Sequence, residues 1–155
     1  QMRRGSCFSM AVPRVQIGLQ PRQPTRGLQG LRVLIVDNES VAGTALATVL
    51  RGWGCKPVTV TNGDAARIAL EATTFDVWIF DFHLDDGDNG VALCARLTSE
   101  FAPVPCLILS ADQTGAVRSA AQEAGLPLLL KPLRPLALKS MLDRMLAARA
   151  ASRVC

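Results

Sequence analysis

The chain has 155 residues, 49% of them hydrophobic and 19% charged, which bounds it to one globular domain of ordinary size with its own core. The net charge of +4 arises in residues 1–30, where Arg3, Arg4, Arg14, Arg22 and Arg26 stand without an acid, so the remainder is close to neutral and no basic nucleic-acid face is expected. No apolar stretch approaches the ~20 residues of a membrane span, and no segment has the ordered regions of a secretory signal.

Residues 5–12 could form one short strand, and a lone strand has nothing to pair with. Pro13, Pro21, Pro24, Gly18, Gly27 and Gly30 mark residues 13–30 as a linker. From Leu31 onward strands and helices alternate. A strand over 31–36 precedes a helix over 40–51, which stops at Gly52-Trp53-Gly54. A strand over 56–60 leads to a helix over 64–72, opened by Asn62-Gly63-Asp64. The run 75–80 predicts a third strand, followed by an acidic loop over 81–89 and a helix over 90–99. Pro103 and Pro105 break the chain before a strand over 104–109, and a helix over 113–124 ends at Gly125. A last strand over 126–130 precedes a helix over 135–149, with Leu138, Met141, Leu142 and Met145 at core spacing and residues 150–155 as a tail. Strands that are apolar throughout, alternating with helices, predict an α/β domain with a doubly wound five-stranded parallel sheet covered on both faces.

Polar residues collect at the carboxyl ends of these strands. Val33–Val36 run into Asp37-Asn38, 75–80 into Asp81, Cys106–Leu109 into Ser110, and Leu128–Leu130 into Lys131-Pro132. In such a sheet ligands bind at that edge. Carboxylates, an amide oxygen and a backbone carbonyl after Asp81, that of His83, suit a hard cation such as Mg²⁺. Asp81 beside a cation, with Lys131 and Ser110 for the phosphoryl oxygens, suits an aspartate that accepts a phosphoryl group. The rival for Asp37 is helix capping, a task that Asn38 or Ser40 can also perform; Ser110 is a candidate cap for the helix after it. The His83 side chain is expected in solvent. Trp53 and Trp78 are expected to pack. The five cysteines, Cys7, Cys55, Cys94, Cys106 and Cys155, lack metal-ligand spacing and read as reduced thiols in a cytosol.

Val33-Leu34-Ile35-Val36-Asp37-Asn38-Glu39, Asp81 with its loop to Gly90, Leu109-Ser110-Ala111 and Lys131-Pro132 together resemble the receiver domain of two-component signalling over residues 31–149. That resemblance implies the CheY-like (flavodoxin-like) sheet order 2-1-3-4-5 and a cis peptide at Lys131-Pro132. It implies Asp81 as phospho-acceptor, with Ser110 as the switch hydroxyl and Lys131 on the phosphoryl group. Mg²⁺ would be held by Asp37, Asn38, Asp81 and the His83 main-chain carbonyl. The partners it implies are a histidine kinase's phosphohistidine domain or a histidine phosphotransfer protein, with no nucleic acid and no membrane contact; a homodimer is compatible with it. The setting implied is cytoplasmic, within a parent kinase that can itself be membrane-attached.

Three residues depart from the receiver pattern. Asn38 stands where a second acid is usual, Leu128 where an aromatic is common, and Asp85 where a proline is common, in a loop one residue longer. The segment from Arg4 to Pro13 resembles the last strand of a histidine kinase's ATP-binding domain, so residues 1–12 read as its remnant and the chain as a piece of a hybrid sensor kinase. Two alternatives stand beside phospho-acceptance. Asn38 and Leu128 fit a pseudo-receiver that only docks. An aspartate-nucleophile phosphatase of the haloacid dehalogenase type would want a second Asp two residues after its nucleophile, where Asp37 is followed by Asn38 and Glu39.

Overall fold

A computed structural model describes residues 28–154. The kinase-like segment 1–12 and most of the expected linker lie outside the described residues. Five strands form one sheet: β1 (Arg32–Val36), β2 (Lys56–Val60), β3 (Val77–Asp81), β4 (Cys106–Ser110) and β5 (Leu128–Leu130). All pairings are parallel and the order is β2-β1-β3-β4-β5, as expected. The helices are α1 (Ser40–Gly52), α2 (Gly63–Ala72), α3 (Gly90–Glu100), α4 (Gly115–Glu123) and α5 (Pro135–Val154).

Period-two alternation along the strands divides the core between the sheet's faces. Val33 and Ile35 join Leu46 and Leu50 of α1 and Leu138 and Leu142 of α5. Leu34 and Val36 join Ala66 of α2 and Leu93 and Leu97 of α3 on the other face. Trp78 and Phe80 stack there with ring centroids 5.7 Å apart, so Trp78 is a packing residue. Cys55, Cys94 and Cys106 are buried within these clusters and serve as small hydrophobes.

Several boundaries differ from the sequence expectation. Leu28 is fully buried, its carbonyl accepts from Cys55 Sγ at 3.4 Å, and Gly30 N donates to Gly54 O at 2.8 Å. Residues 28–30 therefore belong to the fold and not to the linker. β4 and β5 begin after Pro105 and Pro127, which lack an N–H for the ladder although their carbonyls accept from Trp78 N and Ile108 N. Helix α5 continues to Val154, so residues 150–154, expected as a tail, are helical.

One glycine is dictated by close approach. Gly90 N donates to Phe82 O at 2.8 Å, and a Cβ on Gly90 would stand 2.5 Å from Asp81 O. The obstacle is backbone and cannot swing away. Gly90→Ala is expected to cost ~2 kcal/mol by overpacking, measurable as a lower denaturant midpoint with an unchanged slope.

Candidate functional site at the carboxyl edge of the sheet

The edge expected from sequence is built by three neighbouring strands and one reach across them. Asp37 follows β1, Asp81 ends β3 and Ser110 ends β4; they are 4%, 8% and 0% exposed and are the buried polar residues among those described. Lys131 follows β5, two strands away from β3. Its Nζ lies 3.0 Å from Asp37 Oδ2 and 3.6 Å from Asp81 Oδ1, so one ammonium is shared by both acids. The Lys131-Pro132 peptide is cis.

Electrostatics follow from this sharing. Burial raises the Asp81 pKa from its ordinary value; Lys131 opposes the shift and the Asp37 charge adds to it. Burial alone would pull the Lys131 ammonium down, yet its hydrogen bond to Asp37 and the charges of both acids hold it above the ordinary lysine value. Two carboxylates against one ammonium leave one unneutralised negative charge in a mostly dry edge.

The remaining groups close around this centre. Asp37 Oδ1 accepts from Glu39 N at 2.9 Å. Neither Asn38 nor Ser40 caps α1: the capping position is Glu39, without a side-chain bond, and Asn38 Nδ2 instead donates to Asp85 Oδ1 at 3.0 Å. Ser110 Oγ accepts from Asp112 N at 3.0 Å, which braces the β4–α4 loop, while α4 itself starts five residues beyond Ser110. Asp81 is followed by a bridge between His83 and Asn89, whose bonds run through Phe82 O and Leu84 N and leave the His83 carbonyl out of the ladder. The His83 ring is exposed, as expected, but its Nε2 lies 3.3 Å from Asp112 Oδ2.

A family model for the response regulator receiver domain matches residues 33–143, and the Asp37, Asp81, Ser110 and Lys131 cluster falls within it. The chain belongs to the response regulator receiver domain family. Transcriptional regulatory protein TcrA of Mycobacterium tuberculosis is 29% identical over 111 residues, which cover 72% of this chain and 44% of that protein. The chain thus matches less than half the length of that curated relative. A putative response regulator from Chloroflexus aurantiacus shares 30% identity with a TM-score of 0.67, over 77% of this chain and 99% of that one. Chemotaxis protein CheY4 of Vibrio cholerae superposes with a TM-score of 0.66 at 24% identity, covering 75% and 98% of the two chains, a likeness of fold.

The oxygen groups at this edge could hold a hard cation. The donors are all oxygen: the Asp37 and Asp81 carboxylates, the Asn38 amide and the His83 carbonyl. The surplus negative charge on two buried acids is what a divalent cation would neutralise. No three His, Cys, Asp or Glu side chains gather to ligate one metal among the described residues. Oxygen donors of this kind would suit Mg²⁺, which takes one or two carboxylates and keeps several waters.

Sequence reasoning missed the links between loops: Asn38 with Asp85, and His83 with Asp112. It also missed two exposed apolar side chains beside the site. Val41, in the first turn of α1, and Leu136, in the first turn of α5, are 82% and 79% exposed. Between these helices lies a cavity of about 250 Å³, lined by Ala42, Ala45, Leu46, Leu133 and Leu138, with Asp37 and Lys131 also on its wall. Leu128, where an aromatic is common, is partly buried against the cluster that contains Phe80.

Proposed function

We propose that the chain is a phospho-accepting receiver in which Asp81 takes a phosphoryl group from a phosphohistidine. The observation that carries this reading is the single Lys131 ammonium held 3.0 Å from Asp37 and 3.6 Å from Asp81 at the carboxyl edge of the sheet. An Asp81 oxygen attacks phosphorus, the phosphorus–nitrogen bond of the donor breaks, and the imidazole leaves with the bonding pair. Lys131 can follow the charge from the carboxylates to the phosphoryl oxygens, because it is already fixed between the two acids. Ser110 can exchange its bond from Asp112 N for one to a phosphoryl oxygen, which would draw the β4–α4 loop inward. That two-state movement is the switch. Asp37, Asp81, Asn38 and the His83 carbonyl would hold Mg²⁺, which would supply charge neutralisation for the incoming group.

The donor is a histidine kinase's phosphohistidine domain or a histidine phosphotransfer protein. Val41 and Leu136 support this: each stands exposed in the first turn of a helix, α1 and α5, that packs on the same face of the sheet, where a helical partner could settle to bring its histidine to Asp81. Val41→Glu with Leu136→Glu is expected to slow transfer from such a protein ~10-fold or more. Labelling by a small phosphodonor should stay unchanged, as two parallel radiolabel time courses would reveal. The residues from Arg4 to Pro13 support a parent hybrid sensor kinase, and the setting is then cytoplasmic. No helix among the described residues is long and apolar enough to cross a membrane.

The decisive test is incubation of the full chain with Mg²⁺ and acetyl phosphate. One base-labile phosphoryl group on Asp81, mapped by mass spectrometry, is the expected result. An absence of adduct at every Mg²⁺ concentration would overturn phospho-acceptance and favour the docking module that Asn38 and Leu128 suggest.

A further inference from the structure

Resting on that reading of the metal site, we propose that Asp85 is a positioning residue for Mg²⁺, acting through Asn38. Position 38 carries an amide, which can turn either its oxygen or its NH₂ toward a cation; only the oxygen is a ligand. The 3.0 Å bond from Asn38 Nδ2 to Asp85 Oδ1 removes that ambiguity. An ionised carboxylate accepts and never donates, so Asp85 claims the NH₂ end and leaves the amide oxygen for another partner. A carboxylate at position 38 would need no such orientation, since both of its ends are oxygen.

Asp85 is itself held in place. It opens the short 3-10 turn Asp85–Gly87, and Asp88 N donates to its carbonyl at 3.2 Å. Leu84, directly before it, is buried in the core with Phe80 and Leu93, which anchors the loop under the acid. Gly87 takes a φ of 75°, a conformation that glycine adopts at little cost, and turns the chain back toward Asn89 and Gly90.

Orientation outweighs charge in this role. Asp85 is exposed, so water and salt screen its charge before it reaches the cation. A hydrogen bond that selects one end of a neighbouring ligand does not suffer that screening in the same degree, and outer partners of metal ligands commonly carry ten-fold effects on affinity.

Calorimetric titration of Mg²⁺ into the full chain and its variants tests the proposal without reference to phosphotransfer. Asp85→Ala is expected to weaken Mg²⁺ binding about 10-fold. Asp85→Asn, whose amide oxygen still accepts from Asn38, should recover most of that loss although the charge is gone. In an Asn38→Asp background Asp85 has no amide to orient and faces a like charge, so Asp85→Ala there should leave affinity unchanged or improve it. Equal weakening in both backgrounds, no recovery in Asp85→Asn, or indifference of the wild-type chain to Asp85→Ala would each overturn the positioning role alone. A wild-type chain that binds no Mg²⁺ would overturn the metal reading and this role with it.

Discussion

Asp81→Asn is expected to abolish base-labile phosphoryl incorporation and, at neutral pH without metal, to make the fold more stable. The first effect is chemical, because an amide is not a nucleophile toward phosphorus. The second follows from the charge that the site stores. Burial, reinforced by Asp37 and only partly opposed by Lys131, raises the Asp81 pKa above its ordinary value. The folded chain therefore holds that proton more tightly than the unfolded chain does. As pH rises from below the ordinary carboxylate range through the raised value, the unfolded state ionises first and the fold loses stability; above both values the full cost persists. Asparagine removes this cost, and Lys131 keeps its closer partner, Asp37, at 3.0 Å. A rise in melting temperature of about 2–6 °C is expected at pH 7 in chelator, shrinking toward zero near pH 3. Added Mg²⁺ should raise the melting temperature of the wild-type chain by mass action and leave the variant almost unmoved. A variant less stable than wild type at pH 7 would mean that Asp81 is not destabilised by its burial.

Lys131→Ala is expected to act in the opposite direction on stability. It strips the shared cation from Asp37 and Asp81, which then face each other across a buried edge. Breaking a buried pair by removing one partner costs ~3 kcal/mol in comparable settings, and the partial exposure of Lys131 lowers the expectation here to ~2 kcal/mol at pH 7. The Lys131 pKa lies above the ordinary lysine value, so its contribution is fully present at neutral pH and is lost only as pH rises through that raised value. The penalty in the variant comes from negative charge at the edge and should fade as pH drops and Asp81 takes up its proton. Urea unfolding at pH 7 and at pH 4 measures it. Lys131→Met separates charge from packing, since it keeps most of the apolar stem; an undiminished loss in Met identifies charge as the cause. Phosphoryl incorporation should fall ~100-fold in both variants, the scale on which a single preorganised charge acts on a transition state. Retained incorporation would show that Lys131 does not follow the phosphoryl group.

Much of this was legible along the chain. Runs such as Val33–Val36 and Val77–Phe80 are apolar on both faces, and only a sheet covered on both sides buries such strands completely, so the parallel α/β architecture was readable from pattern. The four site residues were readable for a related reason. Each polar residue follows directly on an apolar strand, and parallel strands bring all their carboxyl ends to one edge. Legibility ended where contact depends on loops. Asn38 and Asp85 are 47 positions apart, and His83 and Asp112 are 29 apart. Loop residues have no period that would announce which of them meet. Leu28 shows the same limit in the other direction: glycine and proline composition marked residues 13–30 as linker, but one leucine at its end found a fully buried seat beside Cys55.

By itself the sequence determined the strand and helix succession, the edge at which chemistry is placed and the identity of the acids, hydroxyl and lysine there. Those follow from hydrophobic period and strand direction, which are local properties repeated along the chain. Only the tertiary structure decided how charge is distributed among them. One ammonium reaches from beyond β5 to two acids on β1 and β3, Asp37 is held by the backbone of Glu39, and the Asn38 amide is turned toward Asp85. Distances of about 3 Å across segments remote in sequence set these partnerships, and no local pattern encodes a distance of that kind.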